Sequence, residues 1–352
     1  MRVLMVCPEL PRADSPGSMA PCARQIESLR ALGLQIDVVD MRGIPKLKYL
    51  QVIPRLRRLA GRADLIHAHF GYCGWLAHLA PQWSRSSAPL VISFMGDDLL
   101  GTPINAAGDL ERFSRWMVRA NRRLAPKAAA VIVKSQEMAD VLAPTPCTVI
   151  PNGVDPQRFR PRPQAEARRR LNLPVDQSLV LFPGDPDNPR KGHALATATI
   201  NAAEKLRGQP IQLIPLWGVQ PDLVPWYMNA CDAMLMTSLI EGSPNVVKEA
   251  MACDTPVIGV PVGDVETMLQ DVPGCWVCPR DADRLAHAVD RVLTRPHVAA
   301  RQAILDRGLD LTSVAQQILE VYNTAVSSGV RSSGVGVPFS HSNRRGRGPQ
   351  LQ

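Results

Sequence analysis

The chain is 352 residues long, 45% hydrophobic and 20% charged, with a formal net charge of +8 at pH 7. That balance belongs to a soluble globular enzyme and excludes a collagen-like or disordered chain; no uncharged apolar run reaches the roughly 18 residues that a membrane-spanning helix needs. A single hydrophobic core stops growing near roughly 250–300 residues, so two domains are expected.

The opening MRVLMVCPEL has neither a long apolar h-region nor a small-residue cleavage site. It reads as a first strand and not as a signal peptide, which places the protein in the cytoplasm, with peripheral contact at the inner face of a membrane as a further expectation. The strand RVLMVC leads into the loop PELPRADSPGS, which contains Gly17, and then into a helix through ARQIESLRALG. Strand LQIDVVD follows. In KLKYLQVIPRLRRLAG, Tyr49, Val52, Ile53, Leu56, Leu59 and Ala60 recur at helical spacing beside Arg55, Arg57 and Arg58. Such a stripe packs on its own sheet or docks on an anionic bilayer, and Pro54 breaks or starts the helix. Three more β-rich runs, DLIHAHF, PLVISFMGDD and AAAVIVKS, each end in polar residues.

The text then changes to VIPNGVDPQRFRPRP, rich in proline and carrying a turn-forming Asn-Gly, which reads as an interdomain linker. The second half restarts with SLVLFPGD, IQLIPLW, DAMLMTS, TPVIGVP and GCWVCP, with helices between. Strands alternating with helices mean a parallel, doubly wound sheet in each half. The expected division is an N-terminal domain over 1–150, a linker over 151–165, a C-terminal domain over 166–312, a closing helix over 313–327 and a disordered basic tail over 328–352.

The positive excess is compatible with nucleic acid, an anionic small substrate or an anionic membrane, but interleaved aromatics and nucleic-acid motifs are absent, so nucleic acid is not an expected partner. Of the cysteines only Cys275 and Cys278 are close, and no second ligand pair completes a zinc site. They read as small hydrophobes in a reduced compartment.

The richest stretch is EGSPNVVKEAMACDTPVIG, which starts at Glu241. Ser243 is a suitable N-cap and Pro244 fits the first position of a helix running through Asn245 to Glu249. The segment follows the strand DAMLMTS, at the carboxyl end where open parallel sheets bind ligands. A helix start offers free N–H groups to phosphate, and Glu249 leans back towards it. Two carboxylates repel phosphate, so Glu241 and Glu249 suit sugar hydroxyls; a carboxylate accepts two hydrogen bonds from a vicinal diol. One carboxylate per ring suggests a nucleotide sugar, with ribose at one end and a hexose at the other. Arg190 and Lys191, after the strand SLVLFPGD, can clamp a departing diphosphate without a metal. Asp185 and Asp187 have the spacing of a manganese-holding pair or of a capping turn, and the turn is preferred beside those cations. His69, at another strand end, is a candidate for binding acceptor or donor, or a structural polar cap.

The stretch YMNACDAMLMTSLIEGSPNVVKEAMACDTPVIGVPVGDVETML, with IPNGVDPQRF, resembles the signature of glycosyltransferase family 4, the retaining enzymes of the GT-B fold. The resemblance implies two Rossmann-like domains facing a cleft, with the donor mainly on the C-terminal domain and the acceptor mainly on the N-terminal one. It implies that Glu249 holds the donor ribose, that Glu241 contacts the hexose, and that Gly242, Ser243, Pro244 and Asn245 line the sugar and phosphate. Lys191 fits the family's Lys-Gly position, Gly17 its diphosphate-loop glycine, and Gly96 with Asp98 the loop that reaches the reacting sugar. Two positions depart from the pattern: Met95 stands where many members carry a histidine, and Gly184 is followed by Asp185 where an arginine is usual. Arg190 would act from the other side.

The expected function is therefore metal-independent transfer of a hexose from a nucleotide-diphosphate sugar to a glycan or lipid-linked acceptor, with retention and with no cofactor. The resemblance extends to exopolysaccharide-type hexosyltransferases. The alternatives are an inactive nucleotide-sugar-binding scaffold, or another GT-B enzyme such as a phosphorylase or epimerase.

Overall fold

The computed structural model describes residues 1–12, 15, 17–44, 47–84, 86–105, 109–294 and 299–332. The first domain is built on β1 (Arg2–Cys7), β2 (Gln35–Asp40), β3 (Leu65–His69), β4 (Leu90–Ser93), β5 (Ala130–Val133) and β6 (Thr148–Val149), in the order β2-β1-β3-β4-β5-β6. Its helices are α1 (Ala20–Ala31), α2 (Lys48–Gln51), α3 (Ile53–Ala60), α4 (Gly71–Ser84), α5 (Asp97–Leu100), α6 (Arg112–Leu124) and α7 (Gln136–Leu142). After α8 (Gln164–Arg170) the second domain carries β7 (Ser178–Phe182), α9 (His193–Arg207), β8 (Ile211–Pro215), α10 (Val224–Ala230) and β9 (Ala233–Met236). It continues through α11 (Asn245–Ala252), β10 (Val257–Gly259), α12 (Val265–Leu269), β11 (Trp276–Val277), α13 (Ala282–Thr294) and α14 (Ala300–Asp306), with sheet order β11-β10-β9-β7-β8. The last element among the described residues is α15 (Leu311–Ser332).

Every strand pairing in both sheets is parallel. Parallel strands need helical crossovers, which cover both faces of the sheet, so their sequences are apolar runs and not alternations. The N-terminal sheet shows this directly: Leu4, Val6, Ile66 and Ile92 face a core made with α3, α4, α6 and α7. Their neighbours Val3, Met5, Leu65 and Val91 face a second core made with α1 and α15. The C-terminal sheet is sandwiched in the same way, by α9 and α13 on one face and by α11, α12 and α14 on the other.

Sequence expectations shift at the linker, at the closing helix and at the start of the tail. The linker is firmly held: Val154 pairs with Asp310, and Val154 and Phe159 are buried in the C-terminal core. The closing helix runs from Leu311 to Ser332, longer at both ends than 313–327, and residues 328–332 are helical where a tail was expected. Its start is set by Asp310, whose carboxylate accepts from the amides of Thr312 and Ser313 at 2.9 and 3.0 Å. Its apolar stripe, Val314, Ala315, Ile318 and Tyr322, packs beneath the N-terminal sheet, so this helix returns to the first domain. The rest of the expected tail, 333–352, lies outside the described residues, as do residues 13, 14 and 16 of the first loop.

In the basic stripe, Val52, Leu56 and Ala60 are buried in the N-terminal core, so most of it packs on its own sheet. Arg55, Arg57 and Arg58 face solvent, and Pro54 lies in the first turn of α3. The eight cysteines are free thiols. Among the described residues no helix is long and apolar enough to cross a membrane.

Candidate active site

The site is assembled at the carboxyl ends of β7 and β9. After β9, the Thr237 hydroxyl donates to the carbonyls of Lys191 and Gly192, both at 3.0 Å, and the amide of Leu239 donates to the Arg190 carbonyl at 2.8 Å. The Arg280 guanidinium fastens the Thr237 and Ser238 carbonyls at 3.0 and 2.7 Å. The turn that carries Arg190 and Lys191 is thus sewn to the loop that carries Glu241. Gly192, at φ +70°, makes this possible, because a Cβ there would sit 2.2 Å from the Thr237 carbonyl oxygen. Lys191 Nζ lies 2.6 Å from Glu241 Oε1, with the side chains 20% and 13% exposed. Sequence reading gave the two residues separate ligands; the structure pairs them with each other.

Glu249 is also paired. Its Oε1 accepts from Arg24 Nη2 at 2.8 Å, across 225 positions of sequence and from one domain to the other. Arg190 turns towards the N-terminal domain, with Nη1 4.0 Å from Asp97 Oδ2.

The two domains touch at glycines. A Cβ on Gly242 would meet Gly96 Cα and the Met95 carbonyl oxygen, each at 3.2 Å. Gly96, at φ +147°, stands in the loop after β4, and Asp98 shapes that loop. Its carboxylate accepts from the amides of Met95 at 2.9 Å, Gly96 at 3.0 Å and Gly71 at 3.1 Å. Burial pushes the Asp98 carboxyl up to about 7, against the pull of those amides. All of its observed bonds go to backbone, so Asp98 organises the loop.

Ser243 does not cap α11. The helix begins at Asn245 with Pro244 in the cap position and no side-chain cap, while the Ser243 hydroxyl accepts from Lys248 Nζ at 2.6 Å. The reason lies in burial. Lys248 has no exposed surface, and an ammonium there requires polar partners more urgently than a helix terminus does. Burial lowers its pKa, opposed by the charges of Asp264, Glu249 and Glu241. Asn245 Oδ1 is buried at the helix start without a partner among the described residues.

His69 is fully buried, and neither ring nitrogen has a partner among the described residues. Burial and then the charge of Lys134 hold its pKa down to about 3, so the ring is neutral. Its ring lies 4.4 Å from that of His67, tilted by 36°, and His67 bonds Tyr322 of α15 at 2.6 Å and Ser93 at 2.8 Å. This is the environment of a core residue and not of a side chain open to a ligand. Gly17 is exposed, and a Cβ on it would meet nothing within 4 Å. Asp185 and Asp187 form a capping turn: Asp185 Oδ1 accepts from the Asp187 amide at 3.0 Å. Among the described residues no group of three or more His, Cys, Asp or Glu side chains is placed to hold a metal.

Sequence reading missed Arg24, Lys134, Lys248, Asp264 and Arg280. Lys134 was the most legible of them, because a lysine closing the apolar strand AAAVIV has nowhere to go but inward. Its Nζ donates to the Ile150 carbonyl at 3.2 Å, and burial lowers its pKa to about 7. Arg24 carried no signal, since nothing in ARQIESLRALG separates it from Arg30.

The family model described as Glycosyltransferase Family 4 matches residues 2–158, and that described as Glycosyl transferases group 1 matches residues 180–295. The chain is 26% identical to the putative teichuronic acid biosynthesis glycosyltransferase TuaC of Bacillus subtilis, over 93% of this chain and 100% of that protein. It is 27% identical to the D-inositol 3-phosphate glycosyltransferase of Saccharomonospora viridis, over 76% of this chain and 72% of that protein. Among solved structures, sucrose-phosphate synthase of Thermosynechococcus elongatus is similar with a TM-score of 0.73 at 19% identity, covering 92% of this chain and 99% of that one. HepE of Anabaena, solved in complex with UDP-glucose, is similar with a TM-score of 0.67 at 20% identity, covering 91% and 99%. The shared architecture is the GT-B arrangement of two Rossmann-like domains.

Proposed function

The chain belongs to glycosyltransferase family 4, and from that premise we propose that it moves a hexose from a nucleoside-diphosphate sugar to a glycan or lipid-linked acceptor, with retention and without a metal ion. The observation that carries this reading is the grouping of Lys191, Glu241 and Glu249 around the start of α11, where the loops of the two domains meet. Glu249 accepts from the donor ribose hydroxyls. Glu241 faces the hexose, and the segment from Gly242 to Asn245 lines the sugar and phosphate. Lys191 and Arg190 meet the negative charge that develops on the leaving diphosphate, and a preorganised cation there lowers the barrier. The Lys191–Glu241 pair keeps both side chains in place before the donor arrives. The UDP-glucose bound to HepE supports a nucleotide-sugar donor here. Work at the cytoplasmic face of a membrane, through the exposed Arg55, Arg57 and Arg58, belongs to the same reading.

A second reading, a nucleotide-sugar-binding protein without turnover, is favoured by Met95 and by the Gly184-Asp185 step, the two departures from the family pattern. Release of nucleoside diphosphate separates them. The full chain is incubated with UDP-glucose, UDP-galactose or GDP-mannose and a bacterial lipid extract. Acceptor-dependent release that falls at least about tenfold in Lys191→Met supports transfer. Binding of a donor in calorimetry with no release from any mixture would leave the binding protein as the answer.

A further inference from the structure

We propose that the outer face of α6 docks on an anionic phospholipid bilayer, with Phe113 and Trp116 as the inserted pair. Both rings are exposed, 64% and 60%, although they are among the largest apolar side chains in the molecule. They stack on each other, with centroids 5.9 Å apart and planes at 28°, so the pair presents one continuous apolar surface. Around them the helix RFSRWMVRANRRL carries Arg112, Arg115, Arg119, Arg122 and Arg123, all exposed, and no acidic residue. None of these arginines forms an ion pair among the described residues, while Glu111 and Asp109 are the acids just ahead of the helix. An exposed aromatic pair set in unpaired arginines matches an interface whose surface is anionic and whose interior is apolar.

The helix is also rigidly oriented. Its inner side buries Ser114, Asn121 and Leu124, and Leu124 joins the same core as Leu56 of α3 and Ala77 of α4. The helices α3, α4 and α6 therefore form one layer on one face of the sheet. At the edge of that layer Leu47 and Leu50 are exposed, and Arg55 and Arg58 face solvent on α3. Asn121 Nδ2 donates to the Asp98 carbonyl at 2.9 Å, so the docking helix is bonded to the loop that reaches the interdomain contact at Gly242. A chain seated through α6 would hold the Asp98 loop at a fixed position relative to the bilayer, which suits a lipid-linked acceptor. That purpose rests on the proposed transferase function; the binding itself does not.

The test is co-sedimentation of the full chain with vesicles of phosphatidylglycerol and phosphatidylcholine, beside vesicles of phosphatidylcholine alone, at low and high salt. Binding is expected to require the anionic lipid and to weaken in high salt. The double substitution Phe113→Ser/Trp116→Ser should lower the bound fraction at least about tenfold, and Arg112→Gln/Arg115→Gln/Arg119→Gln should weaken binding and flatten its salt dependence. The pair Arg55→Gln/Arg58→Gln should lose less. Calorimetry with UDP on the same proteins keeps the two proposals apart. Vesicle binding that is unchanged in the aromatic variant overturns the docking surface, whatever UDP does. Absent UDP binding by the wild type strikes the donor-site reading and leaves the docking result standing. Wild-type protein that ignores vesicles and is a dimer, with a monomeric aromatic variant, would mean that this face covers a second copy, and the bilayer proposal would fall.

Discussion

Arg24 on α1 and Glu249 on α11 form an ion pair 2.8 Å long that joins the two domains, with side chains only 18% and 12% exposed. The arginine comes from the half of the chain expected to hold the acceptor, and the glutamate is the residue proposed to grip the donor. Under the proposed role, domain contact and donor binding therefore share one side chain. Removing either partner strands a charge in a poorly solvated place.

Glu249→Ala should weaken binding of the bare nucleoside diphosphate by about 1.5–3 kcal/mol, one to two decades, through loss of the ribose contact. It should also lower the melting temperature of the free protein, because Arg24 is left unpaired. Arg24→Ala/Glu249→Ala should recover part of that stability without recovering affinity. Glu241→Ala should leave diphosphate affinity nearly unchanged and lower turnover of the sugar nucleotide, since the bare diphosphate has no hexose for it to hold. Calorimetry, thermal unfolding and steady-state kinetics measure the set. Equal affinity losses in the two glutamate variants would show the role assignment to be wrong.

Gly263 sits at φ +57°, and a Cβ on it would lie 2.5 Å from the Gly242 carbonyl oxygen and 2.6 Å from that of Glu241. Both obstacles are backbone, so the loop carrying Glu241 would have to move. Gly208, at φ +65° with nothing within 4 Å, is the control. Gly208→Ala should cost about 1–2 kcal/mol from left-handed backbone alone. Gly263→Ala should exceed that by at least about 1 kcal/mol and depress turnover as well. Matching stability losses by urea unfolding would mean that the close approach carries no weight.

Acid should unfold the protein in part through His69. Its pKa is held down to about 3 by burial, against an ordinary value near 6.5, so below about pH 6.5 the unfolded chain takes up a proton that the native chain refuses. The contribution is present above that pH and is lost as pH falls towards 3, at up to about 1.4 kcal/mol per pH unit. His67, lowered by the same burial, acts in the same direction. Asp98, raised to about 7, acts in the opposite one, so the informative quantity is a difference. Between pH 6 and 4.5, His69→Leu should show a shallower fall of unfolding free energy than the wild type. Parallel curves would indicate that the ring is already protonated or paired in the native state.

Turnover should survive chelation. Arg190 and Lys191 lie beside the proposed diphosphate position, and the Asp185 carboxylate is engaged with the Asp187 amide. Activity assayed in EDTA is expected to match untreated enzyme. Loss in EDTA with recovery in manganese would make Asp185 and Asp187 ligands and would end the metal-independent reading.

Two parallel α/β domains were legible in the chain because a strand covered on both faces must be an apolar run, and each such run is a local fact. The place of Glu241 and Glu249 at the carboxyl end of β9 was legible for the same reason: strand, Gly-Ser-Pro turn and helix start are neighbours in sequence. The partners of those residues were not legible. Arg24 reaches Glu249 across 225 positions, and Lys191 reaches Glu241 across 50, contacts that exist only once the sheets are stacked and the loops sewn together. Local reading also gave Ser243 to the helix terminus, and burial gave it to Lys248, because the cost of an unpaired buried ammonium is larger than that of an uncapped helix. The closing helix was legible as a helix, and only packing decided that it returns to the N-terminal domain.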